Sequence, residues 1–142
     1  MIAGVVVVDA SIVVEYLARL PRAAAARRVF DAVADGTAEA WSPDLVYCEV
    51  LSALGKLLRA RTIDAPTADR ACKWLAQLPI TTPGMRDLVA DVWALRRNIT
   101  PYDGAYVALA GRLHAVLITG DERLGRSAQR IVRTITLAEL GT

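Results

Sequence analysis

Histidine, cysteine, lysine and phenylalanine are all scarce in this chain, and each scarcity closes a class of function. There is one histidine, His114, and two cysteines, Cys48 and Cys72, too far apart for a Cys-x-x-Cys pair. A structural zinc site takes about four such ligands, so none can be built, and a two-histidine ribonuclease mechanism is excluded. Two thiols so placed are expected to be free, buried and in a reducing compartment. The only lysines are Lys56 and Lys73, and no Gly-x-x-x-x-Gly-Lys loop is present to cradle a nucleotide. The start has no basic segment leading into a signal-peptide core. The longest apolar stretch, residues 2–17, is broken by Asp9 and Glu15 and cannot span a bilayer. A cytoplasmic protein with no membrane partner is expected.

What the chain does have is aliphatic bulk and arginine. Hydrophobic residues make up 54% of 142, but only one is Phe and three are Trp, a mix suited to helices packed on a short buried sheet. One domain over residues 1–142 is expected, since no linker, repeat or low-complexity segment interrupts the pattern. Net charge is +2, and 15 of the 17 basic residues are arginine, whose planar fork suits phosphate. Genome composition accounts for the same bias equally well.

Apolar periodicity alternates strand and helix. Gly4-Val5-Val6-Val7-Val8 reads as a strand buried on both faces, followed by helical spacing at Ile12, Val13, Tyr16 and Leu17. A helix over 21–35, a strand over 38–41, a long helix over 44–61 and another from 66 to before Pro79 come next. Residues 80–82 read as a short strand, 85–97 and 100–114 as helices, 116–119 as a strand, 122–129 as a helix and 131–135 as a last strand. This order predicts an α/β fold: a three-layer sandwich with a short, mostly parallel central sheet.

Four acids stand out against that frame. Asp9 follows the first strand and Asp121 follows the strand over 116–119, at the carboxyl edge where open α/β sheets place ligands. Each also precedes a helix, so capping alone explains either one. Glu49 lies on the long helix, bracketed on one face by Leu45, Val46 and Ala53, which points its carboxylate into apolar surroundings where an unpaired charge is costly. Lys56, two turns on, is the alternative partner. Asp103 sits third after Thr100 in a helix otherwise nearly free of charge. Thr100-Pro101 explains it as a capping-box variant, but it shares the inward face with Tyr106, Val107 and Ala110. Asp87 and Asp91 read as a solvated face, and Asp31, Asp35, Asp64 and Asp69 as helix-end residues. Converging carboxylates need a cation of high charge density, and an oxygen-only donor set selects Mg²⁺, with Mn²⁺ able to substitute. Ions so held activate water in phosphodiester cleavage.

Other strand-end aspartate chemistries fit poorly. Haloacid-dehalogenase phosphatases want Asp-x-Asp where this chain has Asp9-Ala10-Ser11, and response-regulator receivers want a lysine late in the sheet.

The chain resembles the PIN-domain family, in particular its VapC-type toxins. The likeness rests on the strand into Asp9-Ala10-Ser11, on Glu49 in the long helix, on Thr100-Pro101-Tyr102-Asp103-Gly104-Ala105-Tyr106 and on Leu117-Ile118-Thr119-Gly120-Asp121-Glu122-Arg123-Leu124. Gly104 stands where another small residue is common. The resemblance implies a Mg²⁺-dependent endoribonuclease cutting structured RNA such as tRNA or rRNA. Asp9, Glu49, Asp103 and Asp121 would be both its catalytic residues and its metal ligands, with Ser11 and Thr119 as accessory hydroxyls. It also implies a homodimer and a small cognate antitoxin protein. A non-cleaving module that binds RNA or a partner is the alternative.

Overall fold

The computed structural model describes residues 2–141; Met1 and Thr142, the ends of the expected domain, lie outside the described residues. Its elements run β1 (Gly4–Val8), α1 (Ala10–Leu17), α2 (Ala23–Ala34), β2 (Ala38–Trp41), α3 (Val46–Arg59), α4 (Ala65–Leu75), β3 (Ile80–Thr81), a 3-10 turn (Met85–Leu88), α5 (Val89–Ala94), α6 (Pro101–Leu113), β4 (Val116–Thr119), α7 (Glu122–Ala128), β5 (Thr134–Thr136) and α8 (Leu137–Leu140). The five strands form one sheet in the order β3-β2-β1-β4-β5, and every pairing is parallel. The α/β sandwich is thus as expected, with a sheet parallel throughout.

Burial explains the patterning. Val6, Val7 and Val8 of the central strand are at most 2% exposed, because both faces of a parallel sheet are covered. Helix α6 is buried at every position from Gly104 to Ala110, which accounts for the lack of charge between Asp103 and Arg112. It packs on β1 and β4, while α1 packs against α2, α3 and α4.

Local hydrogen bonding moves several element ends from their expected places. Helix α2 starts at Ala23 rather than residue 21: Ala23 N–H closes a turn on Leu20 O, the first helical bond runs from Ala26 N–H to Arg22 O, and the free Arg22 N–H is taken by the Glu15 carboxylate at 3.1 Å. The helix expected over 85–97 is a 3-10 turn plus the short α5. Its continuation dissolves into turns, with Arg96 N–H on Trp93 O and Asn98 N–H on Leu95 O, and these bring Ile99 into the core. Strand β5 begins at Thr134 because the N–H groups of Ile131 and Val132 both return to Ala128 O. Helix α8 was not foreseen, although Thr136 caps it through the Glu139 N–H at 3.4 Å. Both cysteines are free, but the expectation of burial is wrong: Cys48 and Cys72 are exposed, lying on the outward faces of α3 and α4 beside the inward Val46, Val50, Ala71 and Leu75. Among the described residues no helix is long and apolar enough to cross a membrane.

Candidate carboxylate site at the sheet edge

Strands β1 and β4 run side by side with Val8 opposite Ile118, so Asp9, one residue past β1, stands beside Thr119, the last residue of β4. Asp9 is 4% exposed. Its carboxylate accepts from Ser11 Oγ at 2.5 Å, from Ile12 N–H at 3.3 Å and from Thr119 Oγ1. The two hydroxyls are themselves held by groups that can only donate. Gly120 N–H donates to Ser11 Oγ at 2.7 Å and Asp121 N–H to Thr119 Oγ1 at 3.0 Å. Each hydroxyl proton is therefore turned toward Asp9. The accessory positions foreseen for Ser11 and Thr119 are thus both in contact with this carboxylate. Burial still dominates and raises the Asp9 carboxyl from 3.8 to about 6, with the Asp121 charge adding to the rise and the three hydrogen bonds opposing it.

Asp9 and Asp121 are also helix caps. Asp9 caps α1, and Asp121 caps α7 by accepting from Arg123 N–H at 2.9 Å and Leu124 N–H at 3.1 Å. Capping and membership of the site are not alternatives here: the cap fixes the carboxylate at the mouth of the sheet.

Glu49 sits half-buried in the first turn of α3. Its partner is not Lys56 but Tyr106 of α6, whose hydroxyl donates to it at 2.5 Å. Burial raises the Glu49 carboxyl, the Tyr106 bond opposes that, and the Asp103 charge adds to it. Tyr106 is 2% exposed. Burial first, then the bond to Glu49, pushes its phenol far up, so it remains a proton donor. Sequence reasoning placed Tyr106 on the inward face with Asp103 but missed this role; the signal was its position three residues after Asp103.

Asp103 occupies the first turn of α6, where Thr100 Oγ1 accepts its N–H at 3.3 Å. The capping reading is thus half right: the backbone is capped, while the Asp103 side chain pairs with Arg123 at 3.4 Å. Burial, then the Asp121 charge, raise its carboxyl and Arg123 lowers it. The four acids accordingly act on one another as charges: Asp9 with Asp121, Asp121 with Asp103, Asp103 with Glu49. Among the described residues no three acidic, histidine or cysteine side chains are gathered closely enough to hold an ion directly. The donors these acids offer are all oxygen, which is the chemistry a hard divalent ion such as Mg²⁺ takes.

A second, unforeseen pair braces the loop that carries Asp121. Glu15 is 9% exposed and takes Arg22 Nε at 3.2 Å and Nη2 at 3.1 Å. The same guanidinium donates to Gly120 O at 3.3 and 3.4 Å. A Cβ at Gly120 would be tight, 3.1 Å from Ser11 Oγ, 3.3 Å from Leu137 Cδ2 and 3.4 Å from Arg22 Nη2, so these neighbours would have to give by a few tenths of an ångström. Arg22→Met should leave Glu15 a nearly buried, unpaired charge. The expected loss is roughly 1–3 kcal/mol, below the value for a fully buried pair because Arg22 is 44% exposed. Urea unfolding at pH 7 checks this, and a midpoint equal to wild type would show that the brace carries no stability.

The fold belongs to a known class. Residues 6–129 match the PIN domain model. Ribonuclease VapC3 of Mycobacterium tuberculosis is 39% identical over 128 residues, covering 86% of each chain. VapC ribonuclease Mb0985 of Mycobacterium bovis is 34% identical over 87 residues, 61% of this chain and 68% of that one. Two solved structures share the fold: VapBC2 from Rickettsia felis bound to a DNA fragment from its promoter, with a TM-score of 0.66 at 13% identity over 93% of this chain and 98% of that one, and PAE2754 from Pyrobaculum aerophilum, with 0.62 at 23% over 99% and 98%. The chain belongs to the PIN-domain family, and its sequence relatives place it among the VapC-type members.

Proposed function

We propose that the chain is a Mg²⁺-dependent endoribonuclease, the toxin half of a toxin–antitoxin pair, which cuts structured RNA such as tRNA or rRNA in the cytoplasm. The carrying observation is the unbalanced charge of the site: Asp9, Glu49 and Asp103 all have raised carboxyls, and among the described residues one ion pair, Arg123–Asp103, answers four acids. The names of the VapC relatives supply the substrate class. Asp9, Asp103, Asp121 and Glu49 would hold the ion, with Mn²⁺ substituting for Mg²⁺. When bound, it supplies an activated water and stabilises the leaving oxygen of the phosphodiester. The chain's own part is orientation. Ser11 and Thr119 hold the Asp9 carboxylate in one rotamer, Tyr106 holds Glu49, and the Arg22–Glu15 brace fixes the peptide before Asp121.

The antitoxin seat fits a groove of about 700 Å³ between α1, α2 and α4, lined by Tyr16, Leu17, Ala23, Arg70, Trp74 and Leu78. Its apolar floor and a rim of Arg19, Arg70 and the Arg27–Asp31 pair suit an apolar segment with acidic flanks. A second copy of the chain fits the outer face of α3, where Leu51 and Leu58 are 46% and 39% exposed and lie two turns apart.

The purified chain is expected to cut total RNA with Mg²⁺ or Mn²⁺ and not in EDTA, and Asp103→Asn is expected to be inactive in all three. RNA retained on the protein but intact with every ion would overturn the nuclease reading in favour of a non-cleaving module.

A further inference from the structure

Arg123 touches two of the four acids at once. Its N–H donates to Asp121 at 2.9 Å, and its guanidinium stands 3.4 Å from Asp103 Oδ2. Of the ion pairs among the described residues, this is the one that involves the carboxylate site. The two sides of the pair differ in setting. The Asp103 side chain is 23% exposed and the Arg123 side chain 71%, so the cation lies over the carboxylate from the solvent side. Its arm is not packed into the core and can leave without unfolding anything. The contact is a single long one rather than a two-bonded fork, and exposed pairs of this kind are weak.

We propose that Arg123 is the resident counter-ion of this site, which a divalent ion displaces on entering, and that the freed guanidinium then holds a phosphate of the RNA beside the bond to be cut. The proposal rests on the nuclease reading above. Its physical basis is charge: a cation placed over Asp103 relieves the repulsion between Asp103 and Asp121, and a divalent ion that takes over that task makes the arginine redundant there. The displaced guanidinium is then a planar donor fork, solvent-exposed and anchored at the α7 N-cap next to the acids. That is the geometry suited to an incoming phosphate.

The two halves predict effects of opposite sign in one variant. Arg123→Ala should bind Mn²⁺ more tightly than wild type, by about three- to five-fold, because a weak competitor is gone. Titration calorimetry without RNA reads this directly. The same variant should show a KM for an RNA oligonucleotide raised by roughly ten-fold at saturating Mn²⁺, with kcat little changed. The slope of log KM against log salt should fall by about 0.7–0.9, as for one lost phosphate contact. Arg123→Lys should restore part of the KM, and Arg123→Gln repeats the measurement with the bulk of the side chain kept. Mn²⁺ affinity unchanged or weakened in both neutral variants would overturn the counter-ion role. An unchanged KM and salt slope would overturn the phosphate role. A wild-type chain that takes up no Mn²⁺ would bring down the nuclease reading itself, a result distinct from either.

Discussion

Asp9→Asn is expected to raise the melting temperature in EDTA at pH 7.5 while reducing RNA cleavage by on the order of 10³-fold or more, as loss of several kcal/mol of metal-borne stabilisation would. The gain in stability follows from the position of Asp9 at the end of the central strand. Its carboxyl titrates near 6 in the folded chain against 3.8 for the free side chain. The folded state therefore holds the proton more tightly than the unfolded one. The stability this confers is complete below about pH 4 and is lost as pH rises through about 6. At neutral pH the ionised, buried Asp9 costs about 3 kcal/mol relative to its protonated form. Asparagine carries no charge and can still accept from Ser11 and Ile12, but its amide has to face one of the hydroxyls that now donate to Asp9. A net gain of about 1–2 kcal/mol, or roughly 5 °C, remains. The pH dependence is the diagnostic part. The difference between variant and wild type should nearly vanish at pH 4.5 and grow to its full size above pH 6.5. Thermal melts at four pH values check it, and a difference that stays constant with pH would mean that Asp9 is not a raised carboxyl.

Mn²⁺ should reverse that pH trend in the wild-type chain. On the metal reading proposed above, an ion would bind the ionised carboxylates, compete at low pH with the proton on Asp9 and release that proton on binding. Affinity should rise by up to about ten-fold per pH unit between pH 5 and 6 and level off above. Glu49 and Asp103, raised in the same direction, add to this slope. At a concentration 100 times the dissociation constant the ion stabilises the fold by about 2.7 kcal/mol, enough to offset most of the Asp9 penalty. Melting temperature in Mn²⁺ should then be flat or rising between pH 5 and 7.5, where in EDTA the Asp9 contribution falls. An equal Mn²⁺ response at both ends of that range would place the ion away from Asp9.

How much of the site was legible in the sequence depends on how far each contact reaches along the chain. Asp9 and Asp121 were readable because a strand end followed by a helix start is a local pattern; that β1 lies beside β4 was not, because the two strands are far apart in the chain. Glu49 was readable because helical period alone turns it to an apolar face. Its partner was not: Tyr106 lies 57 residues away, and nothing local separates a buried tyrosine that packs from one that donates. The Arg22–Gly120 bond spans 98 residues and was invisible for the same reason. The burial expected for Cys48 and Cys72 failed because a residue-type tendency took the place of helical phase. In the segment 85–97 the pattern for one helix was present, but the need to bring Ile99 into the core ended the helix early.

The bond from Thr119 to Asp9 also sets an order in time. β1 can pair early with β2, which follows it closely in sequence. Its other neighbour, β4, lies more than a hundred residues downstream, as does the hydroxyl that completes the cage around Asp9. Pairings between such distant segments form late, because the intervening chain has to be ordered first. Until Thr119 and Asp121 are in place, the carboxylate edge is three acids, Asp9, Glu49 and Asp103, and an incomplete sheet. Thr119 ends β4 and Asp121 follows two residues later, so the cage around Asp9 and the fourth acid are completed together.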